Sequence, residues 1–286
     1  MDKTFALLGC GKAGLSVALA LKGAGWTVAG CDSRSDASAA LGAQWLTCPR
    51  LRIPSELPAG VPLMVGAPEQ ALSEVDRTVA AGDPHLRGRV IFHLSGALPS
   101  RVLTRCRLKG AHVGSLHPLM VLPDPLAGAL ALRSTTFSVE GRPEAVAVLR
   151  AMAMSLSGRC FAISPRGKVL YHAAGVTAAN HLVALLWESQ QLLARAGASG
   201  ADAAPAFQAL VELTVKNVFA AGPVQSITGP VERGDLTTVK DHLSALKRWP
   251  ESRERYRVMA RAALEVARLR HPERVAEYVA LEKLLS

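Results

Sequence analysis

Through roughly the first 165 residues, short runs of consecutive apolar residues alternate with stretches whose apolar positions recur every three to four residues. Runs at 5–8, 27–31, 63–66, 89–94 and 111–116 are too short for helices and too continuous for half-exposed strands. They read as strands buried on both faces. The stretches between them, at about 15–22, 35–42 and up to about 80, read as helices, and Pro99 sits at the first turn of another. Strands alternating with helices predict an α/β fold on a doubly wound parallel sheet. Residues 135–139, a helix over about 143–155, and 160–163 read as its closing βαβ unit. Residues 45–62 hold Pro49, Pro54, Pro58 and Pro62 and read as loop.

From Arg166 onward the strand signal vanishes. Residues 169–196 read as one long helix stopped by Ala196-Gly197, with further helices at 202–220, 237–247, 251–270 and 273–285 and a turn-rich break at 222–234. This shift predicts two domains, 1–164 built on the sheet and 165–286 all-helical. The long helix is apolar nearly all round, so it must be covered on more than one side. A homodimer through the helical domain would supply the missing cover.

The first strand leads straight into Gly9-Cys10-Gly11-Lys12-Ala13-Gly14 and then into a helix, with a second strand at the distance expected of a βαβ unit. Each glycine has a physical task there. Gly9 allows the tight turn, Gly11 leaves room for a pyrophosphate against the backbone, and Gly14 lets the helix pack close to the sheet. The free N–H groups of the helix N-terminus, Lys12 and Ala13 among its first residues, favour phosphate. The pattern points to dinucleotide binding in a Rossmann-type domain. The second strand ends in Asp32-Ser33-Arg34-Ser35. An acidic residue there favours NAD through the ribose hydroxyls, whereas an Arg accommodates the 2′-phosphate of NADP. A guanidinium flanked by the Ser33 and Ser35 hydroxyls makes a phosphate cradle. NADP is therefore expected, with NAD, held by Asp32, as the alternative.

Composition narrows the partners. A hydrophobic share of 49% over 286 residues is ample for a core. The net charge of +10 raises the question of nucleic acid. The basic residues are spread out, lack interleaved aromatics, and alternate with Glu251, Glu254 and Glu265 where they are densest. No nucleic acid is expected. The apolar segments near the N-terminus carry Lys12 and Lys22 and fit neither a leader nor a membrane span. Cys10, Cys31, Cys48, Cys106 and Cys160 are odd in number and show no metal-like spacing. They suggest reduced thiols in a cytoplasmic protein without a bound metal.

Five segments carry a resemblance: VGAPEQAL at 65–72, HLSGAL at 93–98, GSLHPL at 114–119, YHAAGVTAANHLVALL at 171–186 and TGPVERGDLTTVKDHL at 228–243. With them the chain resembles a bacterial family that joins a Rossmann-like N-terminal domain to a helical domain of unknown function and is described as NADP-dependent oxidoreductase-like. It is more distantly similar to pyrroline-5-carboxylate reductase, ketopantoate reductase and the 6-phosphogluconate and 3-hydroxyisobutyrate dehydrogenases. The resemblance covers nearly the whole chain apart from residues 45–62, and it implies hydride transfer to or from a small carbonyl or imine compound.

Ligands of an open parallel sheet bind beyond the carboxyl ends of its strands. Gly66, Ala67 and Pro68 after one strand, and Ser95 and Gly96 after the next, are therefore expected to line the cofactor. Ser95 is also a candidate to bond the substrate, and His117, at a strand end, points toward the same crevice. On the long helix His172, Val176 and Asn180 are four apart and share a face. The dehydrogenases named above carry a Lys and an Asn on the corresponding helix. This chain has no Lys at that spacing, the nearest being Lys168. His172 is the expected substitute as proton donor and Asn180 as the orienting residue. The same absence leaves open a second reading, a catalytically silent protein that binds NAD(P) and senses redox state.

Overall fold

A computed structural model describes residues 2–198 and 200–286. Two compact units emerge, one reaching to His181 and the other beginning at Leu182. The first is built on a seven-stranded sheet in the order β2-β1-β3-β4-β5-β6-β7. Its elements are β1 Thr4–Leu8, α1 Lys12–Gly23, β2 Thr27–Asp32, α2 Asp36–Leu46, β3 Leu63–Val65, α3 Leu72–Gly82, β4 Val90–His93, α4 Thr104–Leu108, β5 His112–Pro118, α5 Pro125–Ala131, β6 Thr136–Gly141, α6 Pro143–Ser155 and β7 Arg159–Ala162. Buried side chains on the two faces of the sheet form separate cores. Phe5, Leu7, Met64 and Phe92 face one layer of helices, and Ala6, Leu63, Val65 and Ile91 face the other. Such strands, buried on both sides, are why the sequence shows continuous apolar runs.

The sheet departs from the expected all-parallel arrangement at one place. β6 runs antiparallel to β5, pairing Pro118 with Phe137 and Gly114 with Gly141, while β6 and β7 are parallel across α6. The cause lies in the connection. Asp124 caps α5 by accepting the N–H groups of Leu126 and Ala127, and Pro125 starts the helix. The helix then packs on α1, with Gly128 so close to Ser16 that an added Cβ would lie 2.3 Å from its hydroxyl oxygen. Held at the edge where β5 ended, the chain re-enters the sheet from that same edge.

Helix α7, Lys168–Arg195, runs from the first unit into the second. The strand signal ends near residue 165 as read from the sequence, but compactness does not. The opening turns of α7 bond to the turn after β4 and to β5, through Lys168 to Ser95 and Ser115 and through Tyr171 to His117.

In the second unit α8 Gly200–Ala221, α9 Pro223–Ser226, α10 Pro230–Arg233, α11 Leu236–Ala245, α12 Pro250–Arg270 and α13 Val275–Leu285 follow. The break expected at 222–234 holds the short helices α9 and α10. Each opens with a proline after a glycine at positive φ, Gly222 at 81° and Gly229 at 105°. Val239, Leu243, Leu264, Tyr278 and Leu281 form the buried centre of this unit. The described residues do not supply the covering expected for α7: Val183 is 68% exposed and Trp187 55%. On α8, Leu210, Leu213 and Phe219 are exposed as well, the last to 86%.

Candidate functional site

A cavity of about 690 Å³ opens at the switch point of the sheet, where β1 has β2 on one side and β3 on the other. It is lined by Leu8, Gly9, Gly11, Lys12, Ala13, Gly66, Ala67 and Pro68, and farther out by Ser33, Arg34 and Ser35. Ligands of open α/β sheets bind at this position. Three glycines make it. A Cβ on Gly14 would lie 2.3 Å from the Gly9 carbonyl oxygen, and one on Gly66 would lie 2.5 Å from that oxygen and 2.8 Å from the Gly14 Cα. The turn after β1, the first turn of α1 and the end of β3 are thus in backbone contact. Gly9 also needs its positive φ of 100°. Gly11 differs, since a Cβ there would meet only the Gly66 oxygen at 3.9 Å, facing open space. Its small size serves the cavity, and the N-terminus of α1 opens beside it. Cys10 lies between these glycines but turns inward, its thiol donating to the Asp32 carbonyl.

At the far end Asp32 and Arg34 part company. The Asp32 carboxylate is engaged by the backbone, accepting the N–H of Ser33 at 2.8 Å and of Ile53 at 2.9 Å. Arg34 is exposed and has no ion pair among the described residues. The Ser35 hydroxyl accepts the Ser38 N–H and so caps α2. A carboxylate committed to two amides has less to offer ribose hydroxyls, while a free guanidinium on the cavity wall suits a phosphate.

A second cavity, about 500 Å³, lies at the end of β5 and along the opening turns of α7. Among the residues lining it are His117, Leu119, Phe161, Tyr171, His172 and Asn180. The three residues proposed from the sequence, His117, His172 and Asn180, therefore line one cavity. The rings of His117 and His172 are 6.4 Å apart. Both pack on Gly96, where a Cβ would lie 2.8 Å from His117 Nε2 and 2.9 Å from His172 Cδ2. His117 Nδ1 is hydrogen-bonded to the Tyr171 hydroxyl at 2.8 Å. Burial, then the neighbouring charges of Lys168 and His172, lower the His117 pKa to about 4, so its imidazole is neutral near pH 7. Burial raises the Tyr171 pKa, keeping the phenol protonated.

Ser95 does not line this cavity. Its hydroxyl donates to the Glu69 carboxylate and accepts the N–H groups of Ala97 and Leu98, which anchors the turn rather than offering a group to a substrate. Two further residues belong to the site. Tyr171 lies next to His172 and reaches His117. Lys168 is fully buried, its ammonium donating to the Ser95 carbonyl and the Ser115 hydroxyl. The sequence carries a signal for the latter: residues 168, 172, 176 and 180 are four apart. No cluster of three or more His, Cys, Asp or Glu side chains is arranged to hold a metal among the described residues.

Residues 4–118 match a Rossmann-like domain, and residues 135–263 match a domain of unknown function, DUF2520. No curated protein matches the chain in sequence. Among solved structures, a Thermotoga maritima protein superposes with a TM-score of 0.74 at 23% identity, covering 92% of this chain and 98% of its own. A Bacteroides fragilis protein named as a candidate NADP oxidoreductase gives 0.72 at 21% identity with the same coverage. A reductive aminase from Aspergillus terreus, solved with NADPH and ethyl-5-oxohexanoate, gives 0.63 at 18% identity over 99% of this chain and 100% of its own. At these identities the likeness is one of fold.

Proposed function

We propose that this chain, which joins a Rossmann-like domain to a DUF2520 domain, is an NADP-dependent oxidoreductase acting on a small carbonyl or imine compound. The observation that carries the reading is the pairing of two cavities on one edge of the sheet, one framed by glycines and a free Arg34, the other walled by His117, Tyr171, His172 and Asn180. The fold shared with a reductive aminase that binds NADPH supports it.

The residues fit a dinucleotide. Gly11 leaves the space a pyrophosphate needs, the α1 N-terminus offers N–H groups to it, and Arg34 with Ser33 would hold the 2′-phosphate. When bound, the nicotinamide supplies or accepts the hydride. The chain's own part is to orient the substrate and move one proton. His172 gives that proton to the carbonyl oxygen or imine nitrogen, and Asn180 orients the far end. The two are eight residues apart on one helix, about 12 Å at 1.5 Å per residue, a span that suits flanking a small molecule. His117, neutral, holds the Tyr171 hydroxyl and completes the wall.

Calorimetry with NADPH and NADH, followed by a screen of carbonyl and imine compounds for oxidation of the reduced cofactor, tests the reading. Preferential NADPH binding with turnover is expected. Tight NADPH binding without turnover across the screen would instead favour a silent, redox-sensing protein, and equal affinity for both cofactors would return the ribose to Asp32.

The exposed apolar faces of α7 and α8 support a homodimer. By length and composition α7 could also cross a bilayer. It carries Lys168, His172, Asn180, His181 and Glu188, each costly in hydrocarbon, so a second copy of the chain is the better cover. Sedimentation at micromolar concentration should give twice the chain mass, and a stable monomer would remove this part of the proposal. The five free cysteines suit a reducing, cytoplasmic setting.

A further inference from the structure

Ser95 is gripped at every polar atom it has. Its N–H donates to His93 Nδ1 at 3.2 Å, its hydroxyl donates to Glu69, and its carbonyl accepts from Lys168 Nζ at 2.7 Å and from the Ser115 hydroxyl at 3.2 Å. The Ser115 hydroxyl, in turn, accepts from Lys168 at 2.7 Å. A fully buried ammonium is costly unless its charge and protons are met. Here two protons are placed, and Glu140 and Glu69 supply opposing charge. The next residue, Gly96, is the surface on which both cavity imidazoles rest. One side chain at the first turn of α7 thereby ties together the turn after β4, the middle of β5 and the glycine against which the two imidazoles pack.

We propose that Lys168 is a positioning residue of this cavity: its buried ammonium locks the Ser95–Gly96 turn that seats His117 and His172, and it sets a fixed positive charge beneath them. This inference rests on reading that cavity as the reaction site, but not on any turnover. Lys168 cannot itself serve a substrate, because none of its side chain is exposed. The groups that act on one another here are Lys168, Tyr171 and His172 from α7, His93 from β4 and His117 from β5. Glu140 of β6 and Glu69 face Lys168. Burial lowers the Lys168 pKa to about 8, so it is charged at neutral pH and helps to hold His117 neutral.

The test is a proton NMR titration of the histidine rings in Lys168→Met and Lys168→Arg, with no substrate present. In the Met variant the His117 midpoint should rise by about one pH unit, and the Arg variant, which keeps the charge, should hold it near the native value. A His117 midpoint unmoved by Lys168→Met overturns the proposal, as does an Arg variant that behaves like Met. Should Lys168→Met not fold, Ser115→Ala carries the test. It removes one acceptor and keeps the charge, so the Gly96 amide and both ring resonances should shift while the His117 midpoint stays low. Unchanged resonances would overturn the positioning role. If the native protein turns over no carbonyl or imine yet the midpoints move as stated, the positioning role stands and the catalytic reading falls.

Discussion

The two cavities of the first unit share an edge of one sheet but are made of different material. The glycine cavity is framed by backbone at its inner end, where Gly9, Gly14 and Gly66 touch main chain to main chain. The histidine cavity is walled by side chains drawn from β5, the segment after it, β7 and α7, with its two imidazoles packed on Gly96. Where main chain touches main chain, as at Gly9, Gly14 and Gly66, there is no room for an added carbon atom, and backbone groups do not titrate. A site made of imidazoles and a phenol responds to removed atoms and to protons.

The largest expected effect tests the first half of that contrast. Gly14→Ala drives a methyl into the Gly9 carbonyl and should cost about 3 kcal/mol or more in stability, at the upper end for overpacking, read from chemical denaturation. Gly11→Ala faces open space and should leave stability within about 1 kcal/mol, a helix-terminal glycine replaced at little strain, yet abolish measurable NADPH binding. If both variants fold equally well, the backbone contact is not what builds the cavity.

Protons test the second half. Burial holds His93 at about 3 and His117 at about 4, both below the ordinary 6.5. Between those values and 6.5 the unfolded chain binds protons that the folded chain refuses, so stability falls as pH drops through this window and is fully present above it. At about 1.4 kcal/mol per pH unit for each group, lowering the pH from 7 to 5 should remove a few kcal/mol. Denaturant midpoints at the two pH values measure it, and a flat profile would mean that the imidazoles titrate normally.

Smaller effects sharpen the contrast site by site. Arg34→Ala should weaken NADPH binding by about 1.5–3 kcal/mol, the range for a charged hydrogen bond, and leave NADH nearly unchanged; calorimetry with both cofactors decides. Asn180→Ala should lower turnover by about ten-fold while NADPH affinity holds, because the proposed function gives this residue the substrate to orient and its cavity is not the one framed by the glycines. A loss of thermal stability without a change in turnover would mark Asn180 as structural.

The glycine cavity was readable from the chain because its demands are local: Gly9, Gly11 and Gly14 sit at fixed spacing beside a strand and a helix. The place of Arg34 beside that cavity was readable for the same reason, although the engagement of Asp32 was not, since Ile53 comes from the proline-rich loop. The reversal of β6 left no mark, because apolar runs look alike whichever way a strand enters the sheet, and the connecting helix α5 packs through Gly128 on Ser16, a residue distant in the sequence. The histidine wall was half legible. His172 and Asn180 share a helix face by spacing, whereas the seat on Gly96 and the burial of Lys168 depend on strands that fold alone brings together.

The antiparallel seam between β5 and β6 has a bearing on how the molecule opens. On one side lie the five parallel strands β2, β1, β3, β4 and β5, with the glycine cavity; on the other lies the β6-α6-β7 unit. Gly141 crosses the seam so closely that a Cβ there would lie 2.6 Å from the Gly114 Cα. Seams between contiguous motifs are where cooperative units part in sub-global opening. His117 lies on one side of this one and Phe161 on the other, so such an opening dismantles the histidine cavity and spares the glycine cradle. Amide hydrogen exchange would then report β6 and β7 as one less protected unit, and a substrate seated against both His117 and Phe161 would act as the clasp that slows it.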